Sequence, residues 1–292
     1  MQTWTIQKLL KWVTGYFLEK GVDSPRLSAE MLLGHVLSLK RIELYTQFDR
    51  PVADEHLGRL RELVARAGRH EPVAYLIGST EFYSLQIDVT RDCMIPRPET
   101  ELLVERAVEF LRTRIGSQLV CDLCTGSGCV AVAVAKNFPD AKIIATDVSD
   151  AALEVAARNV KKHALHDRVT LLRGDLFDPL VPQIDTRKFD LIVCNPPYVS
   201  SAEFETLRSN VKNYEPSVAL LAGADGLDVY RRILRSADDF LKGDGALMLE
   251  IGYAQGRAVR RMLEETGTFT QVKIEKDQNN NDRIAIAAKT RP

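Results

Sequence analysis

The chain has 292 residues, of which 45% are hydrophobic and 27% charged, and its formal net charge is -1. This length can bury one large domain and one small one, and the balanced charge lacks the basic footprint that nucleic acid or an anionic membrane attracts. The sequence has neither an apolar run of the ~18 residues that span a bilayer nor a secretion signal, so we expect a cytoplasmic protein without a membrane partner.

The five cysteines predict neither disulfide bonds nor a metal centre. Their number is odd and most lie in apolar segments, which is typical of reduced thiols inside a cell. Cys121 and Cys124 form a C-x-x-C pair, but a zinc site needs a second pair of ligands at matching spacing. The sequence supplies none, so we expect no bound metal.

Residues 1–78 are predicted to form a helical domain. Apolar residues recur at helical spacing, Gly21 ends a first helix, and Ser24-Pro25 is typical of a capped helix start. The apolar stripe predicted for that second helix consists of Leu27, Met31, Leu32 and Val36. The domain either only stabilises the rest of the chain or docks a macromolecular substrate. We favour docking, because a catalytic domain of ~200 residues folds without a helper core.

Residues 79–98 are predicted to link this domain to the next through a β-hairpin. Apolar and polar residues alternate on both sides of Ser84, which indicates two short strands. The prolines of Ile95-Pro96-Arg97-Pro98 push the residues before them out of the helical region, so a stiff extended segment follows the hairpin. Helical spacing returns over residues 99–115.

The domain from 99 to 292 is predicted to be α/β, because strand and helix patterns alternate from residue 118 onward. Such alternation indicates a doubly wound, mostly parallel sheet. The predicted strands cover 118–123, 141–147, 168–173, 188–194 and 245–251, and the predicted helices cover 128–137, 149–165, 226–242 and 254–266. Residues 270–275 and 283–288 predict a terminal antiparallel hairpin on this sheet, joined by residues that tolerate left-handed backbone.

The first of these strands runs into the glycine-containing turn Cys124-Thr125-Gly126-Ser127-Gly128. Glycines at a strand-to-helix turn let the backbone approach a ligand, and the first N–H groups of the helix face it. The second strand ends at Asp147, where a carboxylate can accept hydrogen bonds from both hydroxyls of a ribose. The turn and the acid together predict a nucleotide-like ligand, whereas Asp147 alone is also compatible with a solvated strand end. Both NAD and S-adenosylmethionine fit, because Ala131 is an allowed substitute for the third glycine of the dinucleotide fingerprint.

The segment Asn195-Pro196-Pro197-Tyr198 decides between these ligands. A buried strand that stops at two prolines delivers Asn195 to the sheet rim, where ligands bind. A carboxamide or adenine amino group is a poor nucleophile because its lone pair is delocalised, and two fixed acceptors favour a tetrahedral nitrogen. The Asn195 side-chain oxygen and the Pro196 carbonyl can supply them, and the Tyr198 ring can stack on a flat substrate. The motif therefore predicts methyl transfer to a planar amino group, with S-adenosylmethionine as the donor.

These segments together resemble the peptide chain release factor glutamine methyltransferases. Further matching stretches are residues 71–75, 95–101, 214–216, 226–231 and 281–283. The resemblance implies a Rossmann-like class I methyltransferase domain, with a seven-stranded sheet and a terminal antiparallel hairpin, behind a small N-terminal helical domain. It also implies methylation of the side-chain amide nitrogen of the glutamine in the Gly-Gly-Gln loop of class I release factors, which supports translation termination.

By the same resemblance, the methyl donor would contact residues 124–128, Asp147, Leu176 and Asn195. Residues Asn195, Pro196, Pro197 and Tyr198 would hold the glutamine, and Asn195, Pro196 and Tyr198 would be catalytic. The chain departs from the family pattern at Cys124, where glycine is usual, and at Leu176, where an aromatic ring is common. We expect loop geometry, donor affinity and the fit of the adenine to differ there.

Two other functions stay open at this point. A DNA or RNA adenine-amino methyltransferase shares the four-residue motif but usually shows a basic face, which the charge balance does not support. We therefore expect no stable nucleic-acid partner. A non-catalytic nucleotide-binding module would keep the glycine turn for ligand-driven stability and would not need Asn195.

Overall fold

The computed structural model describes residues 3–183 and 188–289, which divide into two compact units. One unit comprises the chain up to Ser79 together with Arg208–Tyr214, and the other comprises Thr80–Leu207 and the chain from Glu215 onward. Within the described residues, we find no helix long and apolar enough to cross a membrane.

Helices make up most of the first unit, whereas strands and helices alternate through most of the second. The α-helices, in chain order, are α1 (Ile6–Lys20), α2 (Pro25–Leu37), α3 (Arg41–Thr46), α4 (Asp54–Ala67), α5 (Val73–Ile77), α6 (Glu101–Arg112), α7 (Cys129–Asn137), α8 (Asp150–Lys162), α9 (Ser201–Thr206), α10 (Ser209–Lys212), α11 (Asp228–Phe240) and α12 (Gly256–Glu265). The strands are β1 (Ser79–Phe82), β2 (Leu85–Asp88), β3 (Gln118–Leu123), β4 (Ala141–Asp147), β5 (Val169–Arg173), β6 (Phe189–Cys194), β7 (Leu241–Glu250), β8 (Gln271–Lys276) and β9 (Asp282–Ala288). Short 3-10 helices cover Pro98–Thr100, Asp178–Gln183 and Ser217–Ala219.

The first unit is a helical bundle with its own apolar core. Thr5 caps α1 by accepting a hydrogen bond from the Lys8 N–H, and Gly21 ends the helix in the left-handed conformation. Apolar side chains of α1, α2 and α4 form the core, in which Phe17 and Leu32 are fully buried. Each such side chain contributes about 1.5–3 kcal/mol of hydrophobic stabilisation.

The apolar stripe predicted for α2 is wrong at its first position. Leu27 is 39% exposed, whereas Ala29 and Leu33, which the stripe omits, are fully buried. α2 packs against α1, α3, α4 and α5, so its buried face is wider than a single stripe. Ser24 precedes the helix in left-handed backbone and makes no side-chain cap bond, so the predicted cap is also absent from this helix start.

The second unit is built on a seven-stranded sheet in the order β5-β4-β3-β6-β7-β9-β8. Its first five strands pair in parallel, and β9 runs antiparallel to both β7 and β8. The predicted mostly parallel sheet with a terminal antiparallel hairpin is therefore confirmed. The chain fills the sheet outward from β3 in one direction and from β6 in the other. The topological switch point, at which ligands bind in open α/β sheets, consequently lies between β3 and β6.

β1 and β2 form a separate two-stranded sheet. Tyr83 and Ser84 connect them with φ values of 50° and 59°, as the tightest hairpin turns require. Asn159 of α8 holds β2: it accepts a hydrogen bond from Asp88 N–H at 2.7 Å and donates to the Asp88 carbonyl at 2.9 Å. The same side chain donates to the Ser127 carbonyl at 2.9 Å, so one buried amide joins the hairpin to the glycine turn.

β7 is longer than the predicted strand at 245–251. It begins at Leu241, opposite Phe189, and its pairing with β6 shifts register before Ala246 pairs with Leu191. Glycines within a strand mark such irregularities, and Gly243 and Gly245 lie in the shifted stretch. The pattern Lys-Gly-Asp-Gly resembles a turn in sequence, which is why the strand was predicted to begin later.

Candidate active site

A cavity opens at the carboxyl ends of the parallel strands, beside the switch point, and its empty space, with open solvent included, is about 890 Å³. Its walls bring together eight of the residues singled out from the sequence: Cys124, Thr125, Gly126, Ser127, Asp147, Leu176, Asn195 and Pro197. The remaining three, Gly128, Pro196 and Tyr198, are not among its lining residues.

The glycine turn is held in shape by a buried carboxyl. Asp122, at 1% exposure, accepts hydrogen bonds from the Thr125 hydroxyl at 2.6 Å and from the Ala131 N–H at 3.2 Å. Burial raises the pKa of Asp122 to about 7, although these two hydrogen bonds lower it. One side chain thereby fixes both the turn and the first turn of α7.

Cys124 and Leu176 both have left-handed backbone. Their φ values are 56° and 50°, in a region where a side chain costs about 1–2 kcal/mol relative to ordinary backbone. Glycine adopts this backbone without that cost. Both side chains line the cavity, and Leu176 is 8% exposed.

Asp147 ends β4 with both carboxylate oxygens held by backbone donors. Oδ2 accepts from the Gly126 N–H at 2.8 Å and Oδ1 from the Ser149 N–H at 3.0 Å. Burial raises the pKa of Asp147, while these N–H groups act in the opposite direction. A carboxylate oxygen has two acceptor positions, so each can still accept one hydroxyl of a ligand.

Gly128 acts in packing between helices. It precedes α7 with φ 77°, and a Cβ there would lie 3.1 Å from the Ala156 side chain of α8. The residue therefore lets α7 approach α8 closely while the turn before it faces the cavity.

Asn195 follows β6 at the cavity wall, where the sequence placed it. Its Nδ2 donates to the Thr100 hydroxyl at 3.2 Å. An amide has one donor end and one acceptor end, so this bond assigns the amide oxygen to the opposite side. Pro196 is buried directly after it and Pro197 lines the cavity, which makes this stretch of backbone rigid.

Tyr198 is fixed at both its hydroxyl and its backbone. The hydroxyl donates to Glu250 Oε1 at 3.3 Å, and the Tyr198 carbonyl accepts from Gln255 Nε2 at 2.9 Å. Burial, and then the charge of Glu250, raise the pKa of the Tyr198 phenol. The ring packs against the apolar cluster beneath the sheet rim, which holds its orientation.

A segment after α10 supplies another wall. Pro216, Val218 and Ala219 line the cavity, and Glu215 forms an ion pair with Arg97 of the extended segment. Burial raises the pKa of Glu215, opposed by the guanidinium of Arg97. The pair joins two chain segments that both border the cavity.

Three residues of this site were missed by the sequence reasoning: Thr100, Glu250 and Gln255. Thr100 lies in the matching stretch 95–101 but was given no role, and Gln255 gave no signal, because their hydrogen-bond partners are 95 and 57 residues away in sequence. Glu250 did give one, as a lone carboxylate at the end of the apolar run Ala-Leu-Met-Leu. A carboxylate at the end of a buried strand is unusual, because a charged side chain is seldom buried without a partner.

The part of the chain that the structure describes has no cluster of metal-ligating side chains. No group of three or more His, Cys, Asp or Glu side chains there could hold a metal ion. All five cysteines are present as thiols, and burial raises the pKa of Cys121 and Cys194 well above its ordinary value.

Comparison with known proteins places the two parts of the chain in described families. The model of the PrmC N-terminal domain matches residues 8–78, and that of the Methyltransferase small domain matches residues 99–211. Among curated proteins, a release factor glutamine methyltransferase of Geobacter sulfurreducens is 44% identical over 97% of this chain and 96% of its own length. Its counterpart in Rhodopirellula baltica is 42% identical, over 96% of this chain and 95% of its own.

Solved structures show a similar fold. The hMettl16 catalytic domain, in complex with a MAT2A 3'UTR hairpin, aligns with a TM-score of 0.57 at 19% identity. The alignment covers 82% of this chain and 83% of that one. At this identity the likeness concerns the fold alone.

Proposed function

This chain belongs to the release factor glutamine methyltransferase family, and on that premise we propose the following reaction. A methyl group passes from S-adenosyl-L-methionine to the side-chain amide of the glutamine in the Gly-Gly-Gln loop of a class I release factor. The observation that carries the proposal is Asn195 at the cavity wall, with its Nδ2 held by Thr100 at 3.2 Å. Its oxygen is left as an acceptor for a substrate amide.

The cavity fits a methyl donor that combines a ribose, an adenine and an amino-acid chain. Asp147 keeps acceptor positions for two ribose hydroxyls, and Leu176 and Val148 offer apolar surface to a flat base. The turn at 124–128 and the amino end of α7 border the same space, where backbone N–H groups bind a carboxylate. When bound, S-adenosyl-L-methionine supplies a methyl group on a positively charged sulfur.

The glutamine amide is held by acceptors on this chain. Asn195 Oδ1 and the Pro196 carbonyl accept its two N–H groups, which fixes the amide plane and turns the nitrogen lone pair toward the methyl group. Pro197, which lines the cavity, covers one flat face of the amide, and Tyr198 fixes the end of the motif through its bonds to Glu250 and Gln255. No strong base is required, because a methylated amide nitrogen is strongly acidic and gives its proton to water.

The test is transfer of labelled methyl to a purified class I release factor. We expect label on the intact factor and none on the same factor with its loop glutamine changed to alanine, and mass spectrometry places the added methyl on that glutamine. Parallel reactions with duplex DNA and with RNA test the adenine-amino alternative. Label on nucleic acid, or equal label on both factor variants, would overturn the assignment.

A further inference from the structure

Glu250 is a buried carboxyl beside Asn195 with no assigned role. Cys194 pairs with Leu249 in the parallel register of β6 and β7, so Asn195 and Glu250 are the next residues of the two strands at the sheet rim. Glu250 is 1% exposed. A carboxyl in such a position is costly unless its partners compensate for the lost water.

The contacts of Glu250 lead to both functional side chains. The Tyr198 hydroxyl donates to Oε1 at 3.3 Å, and the nearby Thr100 hydroxyl lowers the pKa of the carboxyl. Thr100 is itself 1% exposed and accepts from Asn195 Nδ2 at 3.2 Å. Across residues 3–183 and 188–289, Glu250 Oε2 has no partner in hydrogen-bonding geometry. The Thr100 hydroxyl is thus next to a buried acceptor that is still available.

The direction of hydrogen bonding along this chain of groups follows from the number of protons. A hydroxyl donates only once, and an ionised carboxylate only accepts. With Glu250 ionised, the one proton of the Thr100 hydroxyl can be directed toward Glu250, because the Thr100 oxygen already accepts from Asn195. The Asn195 amide must then present Nδ2 to Thr100 and Oδ1 to the cavity.

We propose that Glu250 is a positioning residue, which acts through Thr100 to hold the Asn195 amide with Oδ1 facing the substrate glutamine. The inference rests on the proposed function, because it assigns how that function's acceptor is oriented. Tyr198, which also donates to Glu250, is held by the same carboxylate. Both groups of the motif therefore take their orientation from one acceptor on β7.

Protonation of Glu250 removes this control. A neutral carboxyl can donate to Thr100, whose hydroxyl then donates to Asn195, and the amide flips so that its oxygen faces away from the substrate. The groups around Glu250 are Tyr198, Tyr230 of α11, Arg283 of β9 and Glu99 before α6. Burial dominates and raises the pKa of Glu250 to about 7, while Thr100, Arg283 and Tyr198 lower it. Turnover should therefore rise with pH through about 7 and then level off.

The experiment compares single-turnover methyl transfer between pH 5.5 and 9 in the wild type, Glu250→Gln, Thr100→Val and the double variant. We expect the wild-type rate to fall about tenfold per pH unit below its midpoint, as one proton dictates. Neither single variant should show this fall in rate at low pH. The plateau rate of each should be about tenfold or more below that of the wild type, with donor affinity nearly unchanged. The double variant should be no slower than Thr100→Val alone, because both changes interrupt the same series of interacting groups from Glu250 to Asn195.

Matched controls separate orientation from general damage. Glu264→Gln and Thr113→Val make the same chemical changes at exposed sites and should keep the wild-type profile. Asp122→Asn should keep the fall in rate at low pH, whatever its plateau rate. The pKa of the Asp122 carboxyl is raised into the same range, but Asp122 is not one of the groups that lead from Glu250 to Asn195. If Glu250→Gln fails to fold, Thr100→Val carries the test.

The inference would be overturned if the rate of Glu250→Gln or Thr100→Val still fell at low pH as the wild-type rate does. It would also be overturned if that fall disappeared in Asp122→Asn. Effects of the two single variants that multiply in the double variant would also overturn it. Failure of the proposed function itself would be seen separately, as absence of transfer by the wild type at its plateau pH.

Discussion

Substitution of Asp147 by alanine is expected to weaken binding of the methyl donor far more than it disturbs the fold. The Asp147 carboxylate is held by the N–H groups of Gly126 and Ser149 at 2.8 and 3.0 Å, with acceptor positions left for two ribose hydroxyls. In the free protein two effects of the change oppose each other. The two N–H groups lose their acceptor, but a partly buried charge is also removed, so the melting temperature should move little.

The magnitude follows from the hydrogen bonds that the donor would lose. A hydrogen bond to a charged group contributes about 1.5–3 kcal/mol, so two of them are worth at least about 3 kcal/mol. That free energy corresponds to a roughly 150-fold increase in Kd. The turnover rate at saturating donor should fall much less, because Asp147 is not among the acceptors proposed for the glutamine amide.

The assay is isothermal titration with S-adenosyl-L-homocysteine, the product of the proposed reaction, followed by turnover at varied donor concentration. Asp150→Ala is the matched control, because Asp150 is three residues away and pairs with Arg173 at the surface. It should leave Kd unchanged. An unaltered Kd in Asp147→Ala would show that this carboxylate does not bind the ribose hydroxyls.

Three further predictions concern the frame around the site. Asn159→Ala should destabilise the second unit by about 3 kcal/mol in urea unfolding, because three backbone groups of Asp88 and Ser127 lose their partner. Gly226→Ala should lower turnover, since its Cβ would lie 2.4 Å from the Tyr198 carbonyl oxygen. Gly267→Ala introduces the same left-handed backbone strain of about 1–2 kcal/mol, but its Cβ would have no neighbouring atom within 4 Å. This control should therefore lower the free energy of unfolding without lowering turnover. The melting temperature of Asp122→Asn should be higher than that of the wild type at pH 8.5, and the difference should become smaller as the pH falls toward 5.

The sign of the Asp122 prediction follows from its raised pKa. A carboxyl whose pKa is raised to about 7 by burial favours the folded state when protonated, and that stabilisation is lost as pH rises through about 7. The neutral amide of the variant does not titrate, so it avoids up to about 4 kcal/mol of this loss. A gap that is independent of pH would contradict the buried carboxyl as its cause. Equal turnover in Gly226→Ala and Gly267→Ala, or an unchanged urea midpoint in Asn159→Ala, would count against the other two.

The sequence was most informative where a local pattern determines local structure. The run that ends at Cys194 and the prolines after it located Asn195 at a sheet rim, and the strand end at Asp147 was found in the same way. The short helix α9 was overlooked, although its capping box of Ser200 and Glu203 is a readable signal. Its few residues carry too little periodicity to indicate a helix by themselves.

The parts that sequence reasoning did not find depend on tertiary structure. The left-handed backbone of Cys124 contradicts its local preference and is imposed by the turn, so no propensity argument predicts it. The bond from Asn195 to Thr100 joins residues 95 positions apart, and Glu250 meets Tyr198 across 52. Such pairs arise only once the strand order is known. The motif could therefore be recognised from sequence, but not the side chains that orient it.

Substitution of Asn195 by alanine, with donor binding measured on the same protein, is the decisive experiment on the two-acceptor mechanism. Loss of one of two fixed acceptors for the substrate amide should lower the single-turnover rate of methyl transfer at least about 100-fold, while the fold and the donor Kd stay close to those of the wild type. Asn137→Ala, at an exposed asparagine of α7, is the matched control and should turn over normally. A rate for Asn195→Ala within about twofold of the wild type, a difference of less than ~0.5 kcal/mol, would contradict the two-acceptor mechanism.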